Sequence, residues 1–148
     1  MSQSLSKVYL HYVFSVKNGE NIITDNIRRD LHSYFTGTFS NLGSYVVELY
    51  ANSDHIHILC TLPRTITQAD LISKVKSSSS KWIKKKGFIR FSWQNGYGVF
   101  SVSSSKIQAV KNYIINQEEH HKKISFKDEY KAFLKENNID YDERYVWD

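Results

Sequence analysis

Two short stretches of this chain bring together side chains whose types and spacing suit chemistry. In "HIHIL", His55 and His57 alternate with Ile56 and Ile58. Residues two apart in an extended strand point the same way and lie roughly 7 Å apart, so the imidazoles share one face and the isoleucines the other. The isoleucines, large and apolar, belong on the core side. That leaves the histidine pair on the open face of a sheet, where two imidazoles can converge on one cation. A pair of hydrogen-bonded histidines fits the same spacing. In "YIINQ", Tyr113 and Gln117 stand four residues apart and so occupy one face of a helix, beside an apolar stripe of Ile107, Val110 and Ile114. Read without the histidines, Tyr113 extends that stripe and Gln117 is a surface residue.

To position these groups the chain needs a strand for the histidines, a sheet for it to join and a helix that reaches the same face. Lys7 to Val16 is β-rich and reads as a first strand. From Thr24 to Asn41, Ile27, Leu31, Tyr34, Phe35 and Phe39 recur at helical spacing, with Thr24 or Asp25 as cap. "SYVVELYANS" and the histidine stretch are two strands joined at Asn52-Ser53, a hairpin. A second helix runs from Thr67 to about Lys86, with Leu71, Val75 and Trp82 inward, and Gly87 stops it. "FIRFSWQNGYGVFSVS" returns to β character, with Gly96 and Gly98 marking a bend or a close backbone approach. A third helix is expected from about Ser105 to Lys122 and a shorter one from Phe126 to about Glu136. The order β-α-β-β-α-β-α predicts an α+β fold: a ferredoxin-like or RRM-like antiparallel sheet with helices on one face. The other face is left for function.

With 148 residues, 41% hydrophobic and 14% aromatic, the chain reads as one packed domain spanning 1–148, in which 126–148 form a C-terminal helix and extension. A lone cysteine, Cys60, rules out an internal disulfide and a CxxC metal knuckle, as in a reducing cytoplasm. No apolar run has membrane-spanning length. The net charge of +5 is unevenly placed: Lys74, Lys76, Lys81, Lys84, Lys85, Lys86 and Arg90 fall between Leu71 and Arg90 with no acid among them. Such a basic face on an otherwise slightly acidic chain suits a polyanion, and a merely solvated helix face is the alternative.

"HIHIL", "YIINQ" and "WQNGYGVFSVS" leading into the tyrosine helix, in this order over nearly the whole chain, resemble the single-tyrosine HUH transposases of bacterial insertion sequences and their REP-associated relatives. The resemblance implies that Tyr113 is the nucleophile. It also implies that His55, His57 and Gln117 hold a divalent ion, Mg²⁺ or Mn²⁺, at the scissile phosphate of single-stranded DNA near a hairpin. The family joins the 5′ phosphate to tyrosine and frees a 3′ hydroxyl. Members that exchange the tyrosine helix form dimers with composite sites, whereas REP-associated relatives can act as monomers; a homodimer is expected here.

The implied chemistry is physically coherent. A phosphodiester's anionic oxygens repel nucleophiles, so positive charge on the phosphate comes first. Two neutral imidazoles and an amide leave the cation's charge uncancelled, although imidazole ligands alone suit zinc or a softer metal. A phosphotyrosine conserves the broken bond's energy, so a DNA hydroxyl can reverse the step. The bases of the second helix, with the hydroxyls of Ser77 to Ser80, are candidates for contacts to the DNA backbone, though not all together, since they surround much of the helix. His120 and His121 sit near a helix end, where they meet the dipole favourably, and are set aside as ligands.

Two other readings remain open. One is a non-catalytic or domesticated single-stranded nucleic-acid binder, for which "KGFIRF" partly echoes the RNP1 pattern. The other is a metal-dependent nuclease using water, which needs a carboxylate base, and Asp54 is expected to point away from the histidines. The acidic tail "YDERYVWD" either covers a DNA surface or docks to the core through its aromatics.

Overall fold

The computed structural model describes residues 2–148. Four strands, β1 (Tyr9–Ser15), β2 (Val46–Ala51), β3 (His55–Thr61) and β4 (Gly98–Val102), form one sheet in the order β2-β3-β1-β4. All neighbouring pairs are antiparallel, and β2 and β3 make the expected hairpin. The helices are α1 (Asp25–Asn41), α2 (Gln68–Lys85), α3 (Ile107–Ile115), α4 (Gln117–His120) and α5 (Phe126–Glu136). This is the α+β, ferredoxin-like arrangement that the element order predicts.

Strand alternation divides the sheet. Leu10, Tyr12 and Phe14 of β1 pair with Cys60, Ile58 and Ile56 of β3 and point into the main core. There they meet Ile27, Leu31, Phe35 and Phe39 of α1 and Leu71, Ile72, Val75 and Ile83 of α2. Each large side chain buried this way contributes about 1.5–3 kcal/mol. Helix α1 ends in a Schellman turn: Gly43, at φ 84°, donates to Ser40, and Ser44 donates to Phe39. Helix α2 starts on Thr67, whose hydroxyl accepts from the Asp70 amide. Trp82 lies at the edge of this core, stacked on Tyr34.

The opposite sheet face is not open. Val13 and Phe100 on that face pack with Phe126, Tyr130 and Leu134 of α5, and Val146 and Trp147 of the tail join them, so the tail docks through these two side chains while Tyr141 and Tyr145 stay exposed. Gly98 accommodates this layer, because a Cβ there would stand 2.9 Å from the Tyr130 hydroxyl. Two segments also differ from expectation. Residues 88–97 are irregular apart from one bridge between Val16 and Trp93, since the carbonyls of Gln94, Asn95 and Gly96 turn to the Lys76 ammonium rather than to a strand. "KGFIRF" is consequently a turn and not a central RNP1 strand. The third helix breaks at Asn116 (φ −92°, ψ 17°), separating α3 from α4.

Candidate active site

Strand β3 places His55 and His57 on the face away from the main core, opposite Ser15 and Val13 of β1. Both are fully buried, because the C-terminal helices cover them. Burying an imidazole without partners is costly, and each ring nitrogen here has one. His55 Nδ1 lies 2.7 Å from Asp54 Oδ1, and His57 Nδ1 lies 2.8 Å from His11 Nε2. Asp54 thus turns toward the histidines; it precedes β3, so strand alternation does not govern it.

Helix α3 brings Tyr113 to the same face, its ring centroid 5.7 Å from that of His57. Gln117 follows just past the break and is fully buried: its Oε1 accepts from Asn52 Nδ2 at 3.1 Å. The break also turns α4 so that His121 Nε2 stands 3.0 Å from His55 Nε2 and His120 Nε2 stands 3.1 Å from the Tyr113 hydroxyl.

Glu129, 2% exposed on α5, ties these groups together. Its Oε1 lies 2.9 Å from His57 Nε2, 3.1 Å from His121 Nε2 and 3.4 Å from His55 Nε2. Its Oε2 accepts from the Tyr113 hydroxyl and from Gln117 Nε2, and faces His120 Nε2 at 3.0 Å. His55, His57, His121 and Glu129 offer one donor atom each, all within 4.8 Å of one another. This constellation fits a divalent cation, since imidazole nitrogens and a carboxylate oxygen are established ligands of such ions.

The electrostatics follow from burial and pairing. Burial opposes ionisation of Glu129, but hydrogen bonds from His121, His55 and His57 overcome it and hold the carboxylate charged. Burial lowers His57 to about 4 and so keeps it neutral. It acts on His55 in the same direction, yet the bonds to Asp54 and Glu129 raise that group above its usual value. Burial, reinforced by the Glu129 carboxylate, pushes the Tyr113 phenol well above its ordinary range. A groove of about 720 Å³ leads to the tyrosine, lined by His11, Phe100, Val110, His120, Glu129 and Phe133.

The structure brings Tyr113, His55, His57 and Gln117 into one cluster and keeps the basic residues apart from it. Helix α2 packs on the opposite sheet face. Its Lys74, Lys81, Lys84 and Lys85 are exposed, as are Lys86 and Arg90 beyond its end. Lys76 departs from the expected DNA-binding set. Its ammonium donates to the carbonyls of Gln94, Asn95 and Gly96 at 2.6, 3.2 and 2.8 Å, which uses all three of its hydrogens, and burial lowers it to about 8.

Sequence reasoning passed over Glu129 and set His121 aside. Glu129 carried a signal: it interrupts the α5 stripe of Phe126, Tyr130, Phe133 and Leu134, where an acid must find a buried partner. His121 carried none, because nothing in "YIINQEEHH" marks the break that redirects it.

Among the described residues no helix is long and apolar enough to cross a membrane. No curated protein sequence matches the chain. Its fold is similar to that of a protein from Deinococcus radiodurans R1 designated a transposase, with TM-score 0.63 and 20% identity, covering 79% of this chain and 98% of that one. It is similar also to a REP-associated tyrosine transposase bound to a REP hairpin, with TM-score 0.61 and 13% identity, covering 82% of this chain and 74% of that one. At these identities the likeness is one of fold. The sequence itself matches the family described as IS200-like transposase across residues 4–117, a span that holds both strand histidines and runs to Gln117. With three quarters of its length matched, the chain belongs to the IS200-like transposase family.

Proposed function

We propose that this transposase cleaves and rejoins single-stranded DNA at hairpin ends through a covalent 5′-phosphotyrosine on Tyr113. A divalent ion, Mg²⁺ or Mn²⁺, is held by His55, His57 and Gln117. The observation that carries the reading is the meeting of Tyr113 with the strand histidines: its hydroxyl and His57 Nε2 share the Glu129 carboxylate. The cation supplies positive charge to the phosphate oxygens, so that an anionic nucleophile can approach.

The chain's own residues account for the rest. The Tyr113 phenol is protonated at neutral pH, so attack needs a proton acceptor, and Glu129 Oε2 already accepts that hydrogen. As the proton moves to Oε2, the phenolic oxygen bonds to phosphorus and the bond from phosphorus to the 3′ oxygen breaks. The departing 3′ oxygen takes a proton from solvent. Rejoining runs the same steps backward. Phe133, half-buried beside the tyrosine in the groove and backed by the buried Phe100, offers an aromatic surface to an unpaired base. Lys74, Lys81, Lys84, Lys85, Lys86 and Arg90 attract the hairpin backbone from the other side of the sheet.

The test is incubation of the protein with labelled hairpin-bearing single-stranded DNA and Mg²⁺ or Mn²⁺. The reading expects a covalent adduct that EDTA prevents and Tyr113→Phe abolishes while hairpin binding persists. An undiminished adduct with Tyr113→Phe would move the nucleophile to another tyrosine. The meeting of these groups within one chain supports a homodimer whose two sites each work in cis, the alternative being exchange of the tyrosine helix. Mixing Tyr113→Phe with His57→Ala then yields no adduct, whereas restored activity would demonstrate exchange of the tyrosine helix.

A further inference from the structure

We infer that the cation site is completed by two residues outside the family-matched span, His121 and Glu129, and that it prefers a first-row transition ion such as Zn²⁺ or Mn²⁺ over Mg²⁺. The inference rests on the proposed metal-dependent reading of the site and extends it. The family match ends at residue 117, so neither group follows from membership. Both follow from the break after α3 and from the buried acid on α5.

Hydrogen bonding fixes where the lone pairs point. The Ile124 carbonyl, 2.8 Å from His121 Nδ1, can only accept, so that nitrogen carries the ring hydrogen and the neutral ring's lone pair is at Nε2. Asp54 does the same for His55. Asn52 Nδ2, a donor 3.1 Å from His55 Nε2, agrees with a lone pair at that position. With both rings neutral, two imidazole lone pairs face each other across 3.0 Å, with the ionised Glu129 oxygen 3.1 and 3.4 Å from them. Electron pairs so placed repel unless a proton or a metal ion lies between them, and a metal ion binds there by displacing that proton. His57 adds a third imidazole 2.9 Å from the same carboxylate oxygen.

The separations match what coordination requires. Donor atoms bound at roughly 2.1 Å stand about 3.0 Å apart in octahedral geometry and about 3.4 Å apart in tetrahedral geometry. Four of the six pairs within this cluster measure 2.9, 3.0, 3.1 and 3.4 Å, and all six lie within 4.8 Å. Each imidazole also has an outer partner on its second nitrogen, Asp54, His11 or the Ile124 carbonyl. This arrangement is characteristic of ligating histidines, and it fixes both tautomer and orientation. Three imidazoles and one carboxylate favour a transition ion, because Mg²⁺ prefers oxygen donors and sheds its waters reluctantly. Gln117 stands beside the set, its amide nitrogen 3.3 Å from Glu129 Oε2.

Calorimetric titration of the metal-free full-length protein with Zn²⁺, Mn²⁺ and Mg²⁺ tests this without any DNA. Wild type should bind one transition ion per chain, at least about 100-fold more tightly than Mg²⁺. His121→Ala and Glu129→Gln should each weaken that binding by more than the roughly 10–100-fold that removal of an outer partner costs, as should His55→Ala. Circular dichroism confirms that each variant folds, and the two new variants lie on different segments, so a folding defect in one leaves the other informative. Visible absorption of Co²⁺-loaded protein, which reports coordination number, should change in both. Wild-type affinity and spectra in His121→Ala and Glu129→Gln, with binding abolished only in His55→Ala, overturn the inference and leave the metal reading intact. Tighter binding of Mg²⁺ than of Mn²⁺ or Zn²⁺ overturns the proposed preference. If wild type binds none of the three ions, the inference and the underlying metal reading both fall.

Discussion

Ile56 and His57 are adjacent on one strand and equally inaccessible to water, yet they belong to different regions of the molecule. Ile56 enters an apolar cluster in which water exclusion is itself the stabilising term. His57 enters a layer where burial opposes charge, and it is tolerated because His11 and Glu129 satisfy both ring nitrogens. The two-residue alternation of a strand thus separates the face that holds the fold from the face that carries the proposed site. A substitution on β3 should therefore affect one property or the other, according to the parity of its position.

The largest expected contrast comes from a pair of alanine variants. His57→Ala should abolish the DNA adduct while changing stability by about 1–3 kcal/mol. Ile58→Ala should cost about 2–5 kcal/mol of stability and still form the adduct below its melting temperature. Denaturant unfolding and adduct gels on both proteins check this, and loss of adduct in folded Ile58→Ala would break the division of the sheet. The lysines of α2 offer a second contrast of intermediate size. Replacing Lys84, Lys85 and Lys86 together with glutamine should weaken hairpin affinity and flatten its salt dependence, by up to about 0.7–0.9 log–log units for every phosphate the lysines neutralise. Lys76→Met keeps the apolar stem but removes three hydrogen bonds, so it should lower stability by about 1–3 kcal/mol and leave the salt slope unchanged. Equal salt slopes in the triple variant and wild type would move the DNA surface away from this helix.

The smallest effect concerns pH. Burial, with Arg28 nearby, lowers His32 to about 4, and its Nε2 accepts from the Ala51 amide. The unfolded chain takes up this proton near pH 6.5 and the folded chain near pH 4. Between these values the unfolded state binds more protons, so stability falls as pH drops through the window. His32→Gln should show a shallower decline there than wild type in parallel melts; identical slopes would remove His32 from the balance.

Much of this organisation could be read from the sequence, for identifiable reasons. The alternation of Ile56 and Ile58 with the histidines assigned faces to β3, and the Ile27, Leu31, Phe35 and Phe39 spacing fixed the inner side of α1. What escaped depended on the meeting of distant segments. Lys76 looks like its basic neighbours until the carbonyls of Gln94 to Gly96 fold back onto it. His121 joins the cluster through a helix break at Asn116, with no glycine or proline to announce it. The histidine face reads as open in the sequence because the docking of α5 is set by Phe126, Tyr130 and Leu134 meeting Val13 and Phe100, partners far apart along the chain.

The central claim is that Tyr113 becomes covalently joined to DNA at the histidine face. Its most direct test is to trap the adduct on hairpin-bearing single-stranded DNA, digest both partners and locate the modified peptide by mass spectrometry among the chain's ten tyrosines. The account predicts a nucleotide linked through its 5′ phosphate to Tyr113 and to no other residue. A nucleotide on a different tyrosine, or cleavage that leaves no protein-linked product, would contradict it.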